Sequence, residues 1–136
     1  AARDALGLAT EVVGVVSTAA PAAMLSVAAG RALETPSART FADGVAVRVA
    51  VPEALEIYEK GCSRIIAVSD DEIAEAIRVY FRCTHNAAEG AGAVPLAALM
   101  QEQESQRAKR VAVILCGGNV DSSILAQVLA GSTPAA

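Results

Sequence analysis

The chain has 136 residues, 54% hydrophobic and 19% charged, which suits one domain with a real core and excludes a disordered segment. Its net charge is −4, it has one histidine, and no basic stripe runs along it, so nucleic acid is not an expected partner. Alanine is abundant and tryptophan absent, as suits helices packed closely on a sheet.

Between Glu11 and Arg31 lie 19 uncharged residues, a length that invites a membrane-spanning reading. Ser17, Thr18, Pro21 and Ser26 interrupt the stretch, and alanine dominates its second half. It therefore reads as strand, turn and helix, and no membrane partner is expected. The start lacks the charged and apolar regions of a secretory signal. Cys62, Cys83 and Cys116 are odd in number and show no disulfide spacing, which points to a reducing, cytoplasmic setting.

In chain order, "AARDALG" is helical in propensity, with Gly7 as its stop. It has neither a cap nor an initiator methionine, as though more protein preceded it. "EVVGVVS" is continuously apolar, the pattern of a strand covered on both faces. Pro21 opens a helix to about Ala29, closed by Gly30. "ETPSARTFADGVAVRVAVP" is loop-like, with a tight turn at Asp43-Gly44. "PEALEIYEKG" is a helix with proline in its first turn and Gly61 after its end.

"RIIAVS" is the second buried strand. In "SDDEIAEAIRVYF" Ser69 and Glu72 form a capping box, and Ile73, Ala76, Ile77 and Tyr80 recur on one helix face. "EGAGAVPLAALMQEQ" begins as a glycine-rich turn and becomes a helix, with Pro95 in its first turn. "RVAVILC" is the third buried strand, and Asp121 caps a last helix through Ala130, followed by Gly131. Buried strands alternating with helices predict an α/β fold with a parallel sheet. Ligands of such sheets sit beyond the carboxyl ends of strands, and Cys116 stands at one such end.

Four roles compete for Cys116: metal ligand, nucleophile, redox centre, or polar contact to a bound cofactor. Cys62, Cys83, His85 and Cys116 form no C-x-x-C, which speaks against zinc and disulfide exchange. Cys62 and Cys83 read as small buried hydrophobes. A nucleophilic Cys116 has only His85 as a candidate base, and no spacing rule links the two. A purely structural Cys116 also stays open. "CGGN" and "EGAGA" each suit an anion at a helix start, but neither matches G-x-G-x-x-G or the Walker pattern. Glu89 would repel a phosphate, which points to a ring or hydroxyl edge instead.

Four blocks, in order, resemble the C-terminal part of the pyridoxal-phosphate enzymes of the threonine dehydratase and serine racemase family. "TFADGVAV" (40–47) resembles T-x-A-D-G-x-A-V, and "IAVSDDEIAEAI" (66–77) resembles a V-S-D-E-E-I helix start. "EGAGAVPLAAL" (89–99) is similar to E-P-A-G-A-x-x-L-A-A-L, with Gly90 where proline is usual. "VAVILCGGNVD" (111–121) is similar to V-V-x-x-L-S-G-G-N-x-D, with Cys116 where serine is common.

The resemblance implies a three-layer αβα parallel sheet, part of the large domain of a tryptophan-synthase-beta-like fold (fold type II). Residues 1–136 would be a single α/β segment of an enzyme whose upstream catalytic part is absent. It implies pyridoxal 5'-phosphate as cofactor. Cys116 would contact the pyridine nitrogen, Gly117, Gly118 and Asn119 would shape the loop at the ring edge, Gly44 would approach the cofactor, and Glu89 would lie near the ring. The implied activity is that of a threonine or serine ammonia-lyase (dehydratase): α,β-elimination of a hydroxyamino acid to a 2-oxo acid and ammonia.

The family's Schiff-base lysine and tetraglycine phosphate loop have no counterpart in this chain, and Lys60 and Lys109 sit in solvated charged contexts. The chain alone is therefore expected to be inactive, with no catalytic residue of its own. Val16 to Ala22 holds no carboxylate, so no metal site is expected. The implied partners are an amino-acid substrate and either further copies in a homo-oligomer or a chain supplying the missing half. The alternative is a non-catalytic, truncated α/β module that binds a partner chain or a small anion.

Overall fold

The computed structural model describes residues 2–136. Helix α1 (Ala2–Ala5) ends where Gly7 turns left-handed at φ 61°, and Leu8 N–H closes back on the Arg3 carbonyl at 2.9 Å. Strands β1 (Val13–Ser17) and β2 (Arg64–Val68) pair in parallel, with Val13 opposite Arg64 and Ser17 opposite Val68. Between them run α2 (Ala22–Ala29), stopped by left-handed Gly30, a 3-10 turn at Asp43–Val45, and α3 (Pro52–Gly61). The expected loop after α2 carries one antiparallel bridge, Glu34 to Val49, reinforced by the Arg48–Glu34 ion pair at 2.6 Å.

Helix α4 (Asp70–Thr84) has the expected capping box in both directions. Ser69 Oγ accepts from Glu72 N–H at 3.3 Å, and Glu72 Oε2 accepts from Ser69 N–H at 2.7 Å. Its apolar stripe is buried as the periodicity requires, with Ile73, Ala76 and Ile77 all at 0% exposure. Burying an isoleucine of this kind contributes roughly 1.5–3 kcal/mol. Helix α5 (Gly90–Gln101) packs along α4, and together with Val15 and Ile66 they enclose the core. The opposite sheet face, with Gly14, Val16 and Ile65, looks toward α2 and α3. The order of layers is helices, a parallel sheet, helices, and the α/β expectation holds. Helix α6 (Ser122–Leu129) docks on α4 through buried Val128, whose carbonyl accepts from Arg78 Nη1 at 3.1 Å. Among the described residues no helix is long and apolar enough to cross a membrane.

Four expectations need correction. "RVAVILC" is not a strand: residues 110–116 form no ladder with any described strand. A strand needs a neighbour about 4.8 Å away. Here a groove of about 710 Å³, walled by Val13, Val15, Ile66, Leu99, Val111 and Val113, separates the segment from the sheet. Pro95 lies in the second turn of α5, because the glycines expected to form a turn already belong to the helix. Asp121 takes the N-cap position of α6, yet its side chain makes no capping hydrogen bond. Cys83 is exposed, on a last turn of α4 whose residues 81–84 all face solvent, and Cys62, just past the end of α3, is only half-buried.

The unpaired 110–116 segment leaves Val111 47% and Ile114 73% exposed beside an open groove. Such an edge is a template for pairing. The chain alone is expected to self-associate, with a scattering mass that rises with concentration. A constant monomer mass over a wide concentration range would count against it.

Candidate functional site

Three segments converge at one corner: the loop before the 3-10 turn, the start of α5, and the turn at residues 116–119. The loop is tied to the first turn of α4 by the Asp70 carboxylate. Thr40 Oγ1 donates to its Oδ1 at 2.6 Å, fully buried Ser17 donates to the same oxygen at 3.4 Å, and Phe41 N–H donates to Oδ2 at 3.3 Å. Thr40 Oγ1 in turn accepts from Ala42 N–H at 3.1 Å. One carboxylate thus collects donors from a strand end and a loop, and hydrogen bonds to a charged group are among the stronger ones. Asp43 Oδ1 then accepts from Gly44 N–H at 2.8 Å, tightening the turn.

Glu89 occupies the N-cap of α5 without capping it. Its carboxylate reaches across to accept from Asn119 N–H at 3.0 Å, while its own N–H donates to the Gly117 carbonyl at 3.2 Å. The backbone closes tightly around this pair. A Cβ on Gly117 would collide with the Glu89 carboxylate, and one on Gly92 would come within 2.5 Å of the Gly117 carbonyl. A Cβ on Gly44 would meet that of Ala91 at 2.7 Å, with Glu89 Oε1 4.0 Å away. The structure therefore brings Gly44, Glu89, Gly117 and Asn119 to one corner, with Gly118 in the same turn against the Ala87 carbonyl. Cys116 stands exposed at the head of that turn.

The remaining candidates do not join them. Lys60 on α3 and Lys109 before the unpaired segment are both exposed. His85 ends α4 in a left-handed conformation at φ 56°, also exposed. Among the described residues no group of three or more His, Cys, Asp or Glu is arranged to hold a metal ion.

Sequence reasoning missed two residues here. Asp70 lay hidden in the acidic "SDDE" run, where any aspartate suits a helix N-terminus. Tyr80 carries in the sequence only the signal of a buried stripe. Its hydroxyl is the one buried side-chain oxygen or nitrogen, among the described residues, without a hydrogen-bond partner. An unmet donor of this kind costs about 1–3 kcal/mol. Burial, and secondly the neighbouring Cys116, push its phenol above the ordinary value.

Comparison with known proteins places this geometry in context. The family profile described as "Pyridoxal-phosphate dependent enzyme" matches residues 1–117. An L-threonine ammonia-lyase of Geobacter sulfurreducens is 34% identical over 87% of this chain and 29% of its own length. The crystal structure of the T.th. threonine deaminase superimposes with a TM-score of 0.81 at 36% identity, over 88% of this chain and 43% of that one. Maize serine racemase gives a TM-score of 0.81 at 25% identity, over 95% of this chain and 42% of that one. The chain thus spans less than half the length of each of these relatives.

The Gly117 contact is open to test. Gly117→Ala is expected to dislodge the Glu89 carboxylate and cost about 1–3 kcal/mol, as overpacking does. The readouts are a lower urea midpoint and faster hydrogen exchange at the Asn119 amide. An unchanged midpoint with full protection would show that the carboxylate is not lodged there.

Proposed function

Because the chain belongs to the pyridoxal-phosphate-dependent enzyme family, whose cofactor is pyridoxal 5'-phosphate, we propose that it is the C-terminal part of a threonine/serine ammonia-lyase. The reaction would be α,β-elimination of a hydroxyamino acid to a 2-oxo acid and ammonia. The carrying observation is the corner where an exposed Cys116 heads a glycine turn closed around Glu89. Its polar groups suit the edge of an aromatic ring: a thiol that can donate and a carboxylate that accepts one N–H.

In this reading Cys116 would offer its Sγ–H to the ring nitrogen. Gly117, Gly118 and Asn119 shape the backbone beside the ring, Gly44 permits the 3-10 turn to approach, and Glu89 holds the turn in place. The cofactor, when bound, supplies the electron sink. A thiol cannot keep a proton on the ring nitrogen as a carboxylate would, which weakens that sink and favours elimination over transamination.

The chain would lack the lysine that carries the cofactor and the loop that cradles its phosphate. The exposure of Lys60 and Lys109 supports this, because such a lysine must be desolvated and aimed. The same exposure is what favours the second reading, a non-catalytic module. The open groove beside the 110–116 segment supports assembly with further protein, either copies of this chain in a homo-oligomer or the part that supplies the lysine. Three free cysteines support a cytoplasmic setting.

Two measurements test the proposal. Incubation of the chain with pyridoxal phosphate, borohydride reduction and peptide mapping is expected to label no single lysine stoichiometrically. One stoichiometric adduct at Lys60 or Lys109 with dehydratase activity would overturn the division of labour. In the assembled enzyme, Cys116→Ser is expected to preserve elimination, whereas Cys116→Asp shifts the product ratio toward transamination. A nucleophilic Cys116 would instead lose activity with serine. An unchanged ratio in a folded, cofactor-loaded aspartate variant would remove the ring-nitrogen role.

A further inference from the structure

Two unpaired backbone edges line the groove between the sheet and residues 110–116. The Val12 carbonyl accepts from Ser63 N–H, and Thr18 N–H donates to the Val68 carbonyl, each at 2.8 Å. Residues of that parity turn to β2, so Val13 and Val15 turn their N–H and C=O groups the other way. No second strand meets them there. The far edge of the sheet is already engaged, since the Ala67 carbonyl on β2 accepts from Gln101 Nε2 at 3.4 Å. On the facing wall, among the described residues, no hydrogen bond involves the backbone of residues 110–116.

The shape selects what fits. A helix spends its N–H and C=O groups internally and meets neither edge, whereas an extended strand offers a set to each side. With its rise, its spacing to neighbours and the spacing of packed layers, a buried strand fills roughly 160 Å³ per residue. The groove of about 710 Å³ therefore holds about four or five residues, the length of β1. Its lining of Val13, Val15, Ile66, Leu99, Val111 and Val113 calls for apolar side chains. Thr10 and Glu11 line the same groove as Lys109 and Arg110, so both walls begin at one end. Glu11 and Glu102 at that end are paired with Arg64, while Arg110 makes no ion pair among the described residues.

We propose that this groove is a slot for one β-strand supplied from outside the described residues. It lies parallel to β1, between β1 and residues 111–115, with apolar side chains and an acidic residue at its start, beside Arg110. The inserted strand bonds both edges at once and makes the sheet four-stranded. That the supplier is the part of the enzyme carrying the lysine rests on the ammonia-lyase reading; the slot itself stands apart from it.

The test uses the full chain, diluted until it is monomeric, and the acetylated and amidated hexapeptide Asp-Val-Thr-Val-Ile-Val. Saturable binding is expected by calorimetry. At ten times the dissociation constant, amide exchange should slow about tenfold at Val13 or Val15 and within 111–115 together. A peptide with proline at its third residue should not bind, because a central strand needs that N–H. Lysine in place of the leading aspartate should weaken binding about fivefold at low salt, and Arg110→Glu, an exposed change, should reverse the preference.

No binding at about 1 mM peptide overturns the proposal. So does protection of one wall only, or equal binding of the proline peptide. A preference for aspartate that survives Arg110→Glu overturns the direction proposed for the strand. Self-association that protects both walls without peptide gives the slot to a second copy and overturns an outside supplier. No cofactor enters these measurements. A docked strand combined with an unchanged product ratio in Cys116→Asp would strike the ring-contact reading alone.

Discussion

Backbone must meet backbone where α5 begins, and the arrangement of the corner follows from that constraint. Gly90 lies against Ala42, where a Cβ would come within 2.7 Å of the Ala42 Cα, and Gly92 lies against the Gly117 carbonyl. A helix start normally has room for side chains. Here the first turn of α5 is wedged between a loop on one side and a turn on the other, and only hydrogen in place of Cβ allows it. The cost is a weakened helix start, since glycine loses more conformational freedom than alanine on folding. Packing of the rest of α5, with Ala93, Val94, Ala97 and Ala98 all buried, offsets that cost.

Two carboxylates hold what the glycines bring together. Asp70 gathers donors from Ser17, Thr40 and Phe41, which joins the end of β1, the T-x-A-D-G loop and the first turn of α4. Glu89 ties the start of α5 to the Gly117–Asn119 turn with one bond in each direction. Both stand at helix starts, where negative charge is favoured. Neither performs the usual side-chain cap of its helix. Ser69 does that for α4, and α5 has no side-chain cap.

The corner stands on a sheet with only two ladder-bonded strands among the described residues. Its third apolar run lies across an open groove, and Cys116 at the end of that run stays exposed. A parallel strand buried on both faces gains its stability from neighbours on each edge. The site's geometry is thus set by helix packing and glycine contacts, while its solvent exposure is set by pairing that the described residues leave unmade. That separation accounts for a pre-formed turn beside a thiol still open to water.

Much of this was legible from residue order. The apolar runs of β1 and β2, the capping box of Ser69 and Glu72, the stripe from Ile73 to Tyr80 and the stops at Gly7 and Gly30 all rest on local sequence pattern. The resemblance of four blocks added the grouping of Gly44, Glu89 and residues 116–119, which no spacing rule supplies. Three features depended on contacts between distant segments. "RVAVILC" has every residue a buried strand needs, but a ladder requires a partner as well as a pattern. Asp70 reads as one more acid at a helix start until Thr40, thirty positions earlier, is folded onto it. Tyr80 reads as one more apolar position until burial leaves its hydroxyl without a partner. Local pattern decides which face of a helix turns inward. Which polar atoms find partners there is decided by segments that chain order does not bring together.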